Sequence, residues 1–174
     1  PGEKVVMITS CIPGEGKTFV AANLAMSLSL LGKRVVVVGL DIRKPQLLAL
    51  LGLKPTKLGI VNFLCAAEAD YELLENQIIP SAIHKNMDLL PAGIIPPNPA
   101  ELLSGSLLRD AIEYLSTKYD YVILDTPPVA LVSDTLIIGA LANMTIFVTR
   151  ADYSPKANFE LINSLSRDRK LPKC

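Results

Sequence analysis

The sequence predicts a doubly wound α/β domain: a mostly parallel sheet with helices on both faces. Three observations predict it. Short β-branched runs alternate with longer helical stretches along the 174 residues, the order that gives parallel pairing through right-handed crossovers. Half the residues are hydrophobic, and this excess suits strands buried on both faces. No uncharged stretch exceeds fifteen residues, the length of Thr135 to Thr149, short of the roughly 20 a spanning helix needs.

The elements follow in order. Lys4–Ser10 (KVVMITS) is a strand ending in small residues, and Lys17–Leu31 is a helix, apolar nearly all round, stopped by Gly32. Val35–Leu40 (VVVVGL) is a second strand. Pro45–Leu51 is a short helix with proline at its first position, and Gly59–Ala67 another. Met87–Leu90 is the third strand, followed by a proline-rich loop over Ala92–Pro99. Helices at Pro99–Ser104 and Ser106–Lys118 part at Gly105; the second carries Leu107, Leu108, Ala111 and Leu115 on one core face. Tyr121–Asp125 (YVILD) is the fourth strand, Thr135–Ala142 a helix, Thr145–Thr149 the fifth strand and Pro155–Arg169 the last helix. With no repeat or linker, residues 1–174 read as one domain, and the start Pro1-Gly2-Glu3, without initiator Met or signal peptide, reads as that of an excised fragment.

Composition narrows the function. Seventeen basic and seventeen acidic residues cancel, which argues against a nucleic-acid partner bound by bulk charge. Cys11, Cys65 and Cys174 are too few and too scattered for a disulfide framework or a zinc site, and imply a reducing compartment.

The informative segment is Ser10-Cys11-Ile12-Pro13-Gly14-Glu15-Gly16-Lys17-Thr18, between the first strand and the first helix. It matches the phosphate-loop pattern G-x-x-x-x-G-K-[ST], with Cys11 at the first glycine position. The backbone from Pro13 through Glu15 to Gly16 is predicted to wrap phosphate oxygens, where side chains on Gly14 or Gly16 would collide. The helix beginning at Lys17 adds unpaired N–H groups and the positive end of its dipole. Lys17 is placed to reach the β- and γ-phosphates and the Thr18 hydroxyl to hold Mg²⁺. The fold is thereby of P-loop NTPase type.

Such a site also needs acids, and in a parallel sheet they lie at the C-terminal strand ends. Asp125 closes the apolar run YVILD, and Asp41 follows VVVVGL ahead of Ile42-Arg43-Lys44-Pro45. An N-cap or turn aspartate is the plainer alternative for either. Arg150 and Asp152 follow the fifth strand, where P-loop folds contact the nucleotide base. His84 sits in a polar stretch and reads as a surface residue, and Cys11 as a small inert side chain. Tyr71, Tyr114, Tyr119, Tyr121 and Tyr153 are scattered, and none stands out as a phosphoacceptor.

The set SCIPGEGKT, VVVVGLDIRKP, GIVNFL, LLPAGIIPPNPAELL and YDYVILDTPPVALVSD resembles the bacterial tyrosine kinases, the cytoplasmic kinase domains of capsule and exopolysaccharide co-polymerases. The resemblance runs over about residues 4 to 150 in family order. It implies ATP- and Mg²⁺-dependent phosphorylation of protein tyrosines, those of neighbouring copies in a ring included. It implies ATP and ADP as ligands, a membrane-embedded co-polymerase segment as partner, and a cytoplasmic domain of an inner-membrane protein. By the family pattern Lys17 and Thr18 bind phosphates and Mg²⁺, Asp41 and Asp125 manage metal and nucleophile, and Arg43 either contacts phosphate or is structural.

The chain departs from the pattern at Gly39, where the family carries a further aspartate. The family's C-terminal tyrosine cluster and ring-closing N-terminal helix are not found in these residues, which fits the fragment reading. Partition and division-site ATPases are the alternative family. They carry an extra lysine in the form K-G-G-x-G-K-T, and Ile12 stands in its place here. A nucleotide-gated assembly module without chemistry is the third alternative, and Gly39 is the feature that favours it.

Overall fold

The structure is a computed structural model and describes residues 3–131 and 133–174; the Pro1-Gly2 start and Val132 lie outside the described residues. Among the described residues six strands form one sheet: β1 (Val5–Ser10), β2 (Val35–Gly39), β3 (Ile79–Pro80), β4 (Met87–Leu90), β5 (Tyr121–Asp125) and β6 (Met144–Val148). Their order is β3-β4-β2-β5-β1-β6. Every pairing is parallel except that of β3 with β4. The helices are α1 (Lys17–Leu30), α2 (Leu47–Leu50), α3 (Ile60–Leu64), α4 (Tyr71–Asn76), α5 (Pro99–Ser104), α6 (Ser106–Lys118), α7 (Asp134–Gly139) and α8 (Asn158–Arg167).

The period-2 rule of strands separates the core into two halves. Val6, Ile8, Val35, Val37 and Ile123 face α1 and α2, packing on Ala21, Ala25 and Leu47. Met7, Val36, Val38, Val122 and Leu124 face the other way, against Phe63, Leu108, Ala111 and Leu115. Helices therefore cover both faces, and the doubly wound expectation holds. The alanines of α1 let the helix lie close on the sheet behind the phosphate loop. Its outer face leaves Phe19 and Leu30 exposed, so its all-round hydrophobicity is only partly a burial signal.

Several expectations are corrected. The sequence predicts five strands, and the sixth, β3, has two residues, too few for any periodicity to register. The short helix α4 is also unanticipated, although Asp70 caps it by accepting the Leu73 N–H at 2.9 Å. α2 begins at Leu47, not at Pro45. The Asp41 carboxylate accepts the Lys44 N–H at 3.0 Å, which holds the preceding residues in a turn. α3 stops at Leu64, short of Ala67, and α7 runs from Asp134 to Gly139 instead of Thr135 to Ala142.

Candidate active site

The strand order decides where the chemistry can occur. β5 lies between β1 and β2, so its last residue, Asp125, sits between the phosphate loop and the turn after β2. In register, Asp125 faces Ile8 on one side and Gly39 on the other. The Leu40 N–H donates to the Asp125 carbonyl at 2.8 Å and the Asp41 N–H to the same oxygen at 3.2 Å. The two predicted acids are thus tied together by backbone before either side chain is considered.

The phosphate loop takes the form its glycines require. Gly14 and Gly16 have φ of 85° and 97°, left-handed values that disfavour any other residue. Gly16 immediately precedes α1, whose first residues, Lys17 and Thr18, are both buried. The free N–H groups of that helix start converge on the loop's concavity. Cys11 is buried, and burial first, then the Glu15 charge, raises its thiol above the usual range. It is a packed, inert side chain and not a nucleophile.

Side chains then close the constellation. Lys17 Nζ stands 3.6 Å from Asp41 Oδ2, both nearly buried. The Thr18 hydroxyl donates to Asp125 Oδ1 at 3.2 Å. Asp125 is 2% exposed, and desolvation pushes its pKa up to about 7. Lys17 and the Thr18 hydroxyl pull it down and Asp41 adds to the rise. A cleft of about 590 Å³ opens over Lys17, Thr18 and Asp41, lined also by Arg43 and the loop residues Pro13, Gly14 and Gly16. A smaller adjoining cavity of about 100 Å³ is lined by Gly39, Asp41 and Asp125.

Every predicted site residue lies at this sheet edge, with two differences in detail. Glu15 turns away from the cleft and is buried, its Oε2 accepting the Ile12 N–H at 2.7 Å. Arg43 lines the cleft, but its Nε and Nη2 donate to the two oxygens of Asp134, at 2.7 and 3.1 Å. Asp134, its side chain 1% exposed, was not singled out from the sequence. It closes the YDYVILDTPPVALVSD segment, but by itself an acid at the start of a helix is an ordinary capping signal. Arg150, after β6, donates to the Gly14 carbonyl at 3.2 Å. His84 is half-buried and accepts the Asn86 N–H through Nδ1, a turn role.

The donor set fits a small hard cation. One hydroxyl and two buried carboxylates are oxygen ligands of the kind Mg²⁺ takes, with phosphate and water completing the shell. Among the described residues no group of three or more acids, histidines or cysteines is placed to hold a metal ion by itself.

Comparison with known proteins gives the arrangement its family. The family model described as an AAA domain matches residues 3–167. The tyrosine-protein kinase YwqD of Bacillus subtilis is 37% identical over 153 residues, 88% of this chain and 62% of the relative. The tyrosine-protein kinase Wzc of Salmonella typhimurium is 39% identical over 163 residues, 94% of this chain and 22% of that one. The chain thus spans less than two thirds of either relative. Among solved structures, the VpsO kinase domain superposes with a TM-score of 0.86 at 30% identity, covering 99% of this chain and 85% of that one. On this match of family model, sequence and architecture, the chain belongs to the AAA-domain family and, within it, to the bacterial tyrosine kinases.

Proposed function

We propose that the chain, acting over residues 1–174 as one unit, transfers the γ-phosphoryl group of ATP to protein tyrosines with Mg²⁺. The observation that carries this reading is the meeting of Lys17, Thr18, Asp41 and Asp125 at one sheet edge. The relatives' names as tyrosine-protein kinases support the choice of acceptor.

In this reading Gly14, Gly16 and the start of α1 bind the phosphates through backbone N–H groups, with Pro13 and Glu15 shaping the loop. Lys17 exchanges Asp41 for the β- and γ-phosphates. Thr18, Asp41 and Asp125 would hold Mg²⁺, and the ion would supply charge stabilisation to the transferring phosphoryl group. Asp41, released when Lys17 turns to phosphate, would meet Mg²⁺ with one carboxylate oxygen and take the phenol proton at the other. A tyrosine hydroxyl has an unperturbed pKa of about 10, so a positioned acceptor is worth roughly 10²–10⁴-fold. Arg43, held by Asp134, keeps the turn after β2 in place beside the cleft.

The same reading extends to setting. The chain would serve as the cytoplasmic kinase part of a membrane-anchored exopolysaccharide co-polymerase, in a ring whose copies phosphorylate one another. Among the described residues no helix is long and apolar enough to cross a membrane, so the anchor in this proposal is a separate segment. Incubation with labelled ATP and a tyrosine-rich peptide tests the core of the proposal. Phosphotyrosine is the expected product; free phosphate alone would mean a hydrolase, and binding without turnover an assembly module.

A further inference from the structure

The turn after β6 is fastened to the outer side of the phosphate loop. Because such a loop turns its N–H groups inward, its carbonyl groups are left facing out and need donors. Three side chains from one turn meet three successive loop residues. The Tyr153 hydroxyl donates to the Pro13 carbonyl at 3.0 Å, and Arg150 Nη1 donates to the Gly14 carbonyl at 3.2 Å. The Ser154 hydroxyl donates to Glu15 Oε1, while the other oxygen of that carboxylate holds the Ile12 N–H.

The turn is itself braced. The Arg150 N–H donates to the Ser154 Oγ at 2.8 Å, and the Arg150 guanidinium lies over the Tyr153 ring, 5.1 Å from its centroid. Tyr153 is 47% exposed, so core packing does not account for its position. Its fit against the loop is close: a Cβ on Gly14 would stand 2.7 Å from the hydroxyl oxygen. β1 pairs with β6 up to Ser10 and Val148, which delivers both segments to the same sheet edge.

We infer that Arg150, Tyr153 and Ser154 form a clasp that positions the phosphate loop for nucleotide. They are positioning residues, since they touch the outer face of the loop. Affinity for phosphate depends on how much of the time the inward N–H groups are already aligned, and a loop that opens lowers it by the fraction misaligned. This inference rests on the nucleotide-binding reading above. It also assigns a role to Glu15, whose carboxylate links the clasp to the first turn of the loop.

The test uses the whole chain with Tyr153→Phe, Arg150→Ala, their double variant, Ser154→Ala and Ser154→Thr. Amide hydrogen exchange is followed without nucleotide over the loop and over β1, β2 and β5, and Mg-ADP affinity is measured by calorimetry. Each lost hydrogen bond should quicken loop exchange and weaken Mg-ADP by about fivefold. The strands should keep their parent rates, and Ser154→Thr, which retains a hydroxyl, should behave as the parent. Loop exchange unchanged in the double variant overturns the inference, as does strand exchange quickening in step with the loop. Faster loop exchange with undiminished Mg-ADP affinity overturns it too. A parent that binds no Mg-ADP, or a Lys17→Met variant that binds it equally well, instead refutes the nucleotide-binding reading, and loop exchange alone then decides the clasp.

Discussion

Replacing Asp125 by asparagine should make the nucleotide-free protein more stable at pH 8 while removing its response to Mg-nucleotide. Asp125 is 2% exposed and its pKa is raised from 3.8 to about 7, chiefly by desolvation. The folded chain therefore holds a proton that the unfolded chain releases above about pH 4. The unfolded state binds fewer protons in this window, so this group's contribution to stability falls as pH rises from about 4 to about 7 and levels off above it. A shift of about three units at 1.36 kcal/mol each sets the loss on the order of 4 kcal/mol, an upper figure for a site that opens to a cleft. The asparagine of the Asp125→Asn variant carries no such penalty and can still accept the Thr18 hydroxyl. The measurement is thermal and urea unfolding of both chains at pH 4.5 and pH 8. The parent-to-variant difference should change by about 2–4 kcal/mol between the two pH values, or roughly 5–15 °C in Tm. Groups common to both chains largely cancel in the parent-to-variant difference. A difference that does not move with pH would refute the desolvation argument.

Three further outcomes are expected. Arg43→Ala should cost about 3–5 kcal/mol because it strands the buried Asp134 charge, whereas Asp134→Ala should cost less because Arg43, with 38% of its side chain exposed, can turn to water; urea unfolding of the pair reads the asymmetry. Mg-ADP at about 100 times its dissociation constant should add roughly 2.7 kcal/mol to the parent, and Lys17→Met should lose most of that gain in a thermal-shift assay. Gly39→Asp should destabilise the nucleotide-free chain by about 1–2 kcal/mol, since its Cβ meets the Ala92 nitrogen at 3.4 Å and its charge joins Asp41 and Asp125; single-turnover transfer should rise by less than about tenfold if Asp41 already serves as proton acceptor.

The parts of this molecule legible in its sequence are those written in periodicity or in a local motif. VVVVG and YVILD announce buried strands because both faces are apolar, and Gly14, Gly16 and Lys17 announce a phosphate loop because their spacing is local. What escaped depends on contacts distant in sequence. Asp134 and Arg43 are 91 residues apart, and neither carries a mark of the other. Tyr153 and Arg150 look like loop residues until the pairing of β1 with β6 brings them against Pro13 and Gly14. The two-residue strand β3 is too short for any pattern, and its existence is owed to the neighbouring edge of β4. Helix boundaries shifted where side chains captured backbone N–H groups, as Asp41 does at Lys44.

Single-turnover transfer from labelled ATP to a tyrosine-rich peptide, comparing the parent with Asp41→Asn and Lys17→Met, tests the proposed chemistry most directly. The parent should form phosphotyrosine, Asp41→Asn should be slower by roughly 100-fold or more, and Lys17→Met should form almost none. Phosphotyrosine formed by Asp41→Asn at the parent's rate, or none formed by the parent while ATP is bound, would contradict it.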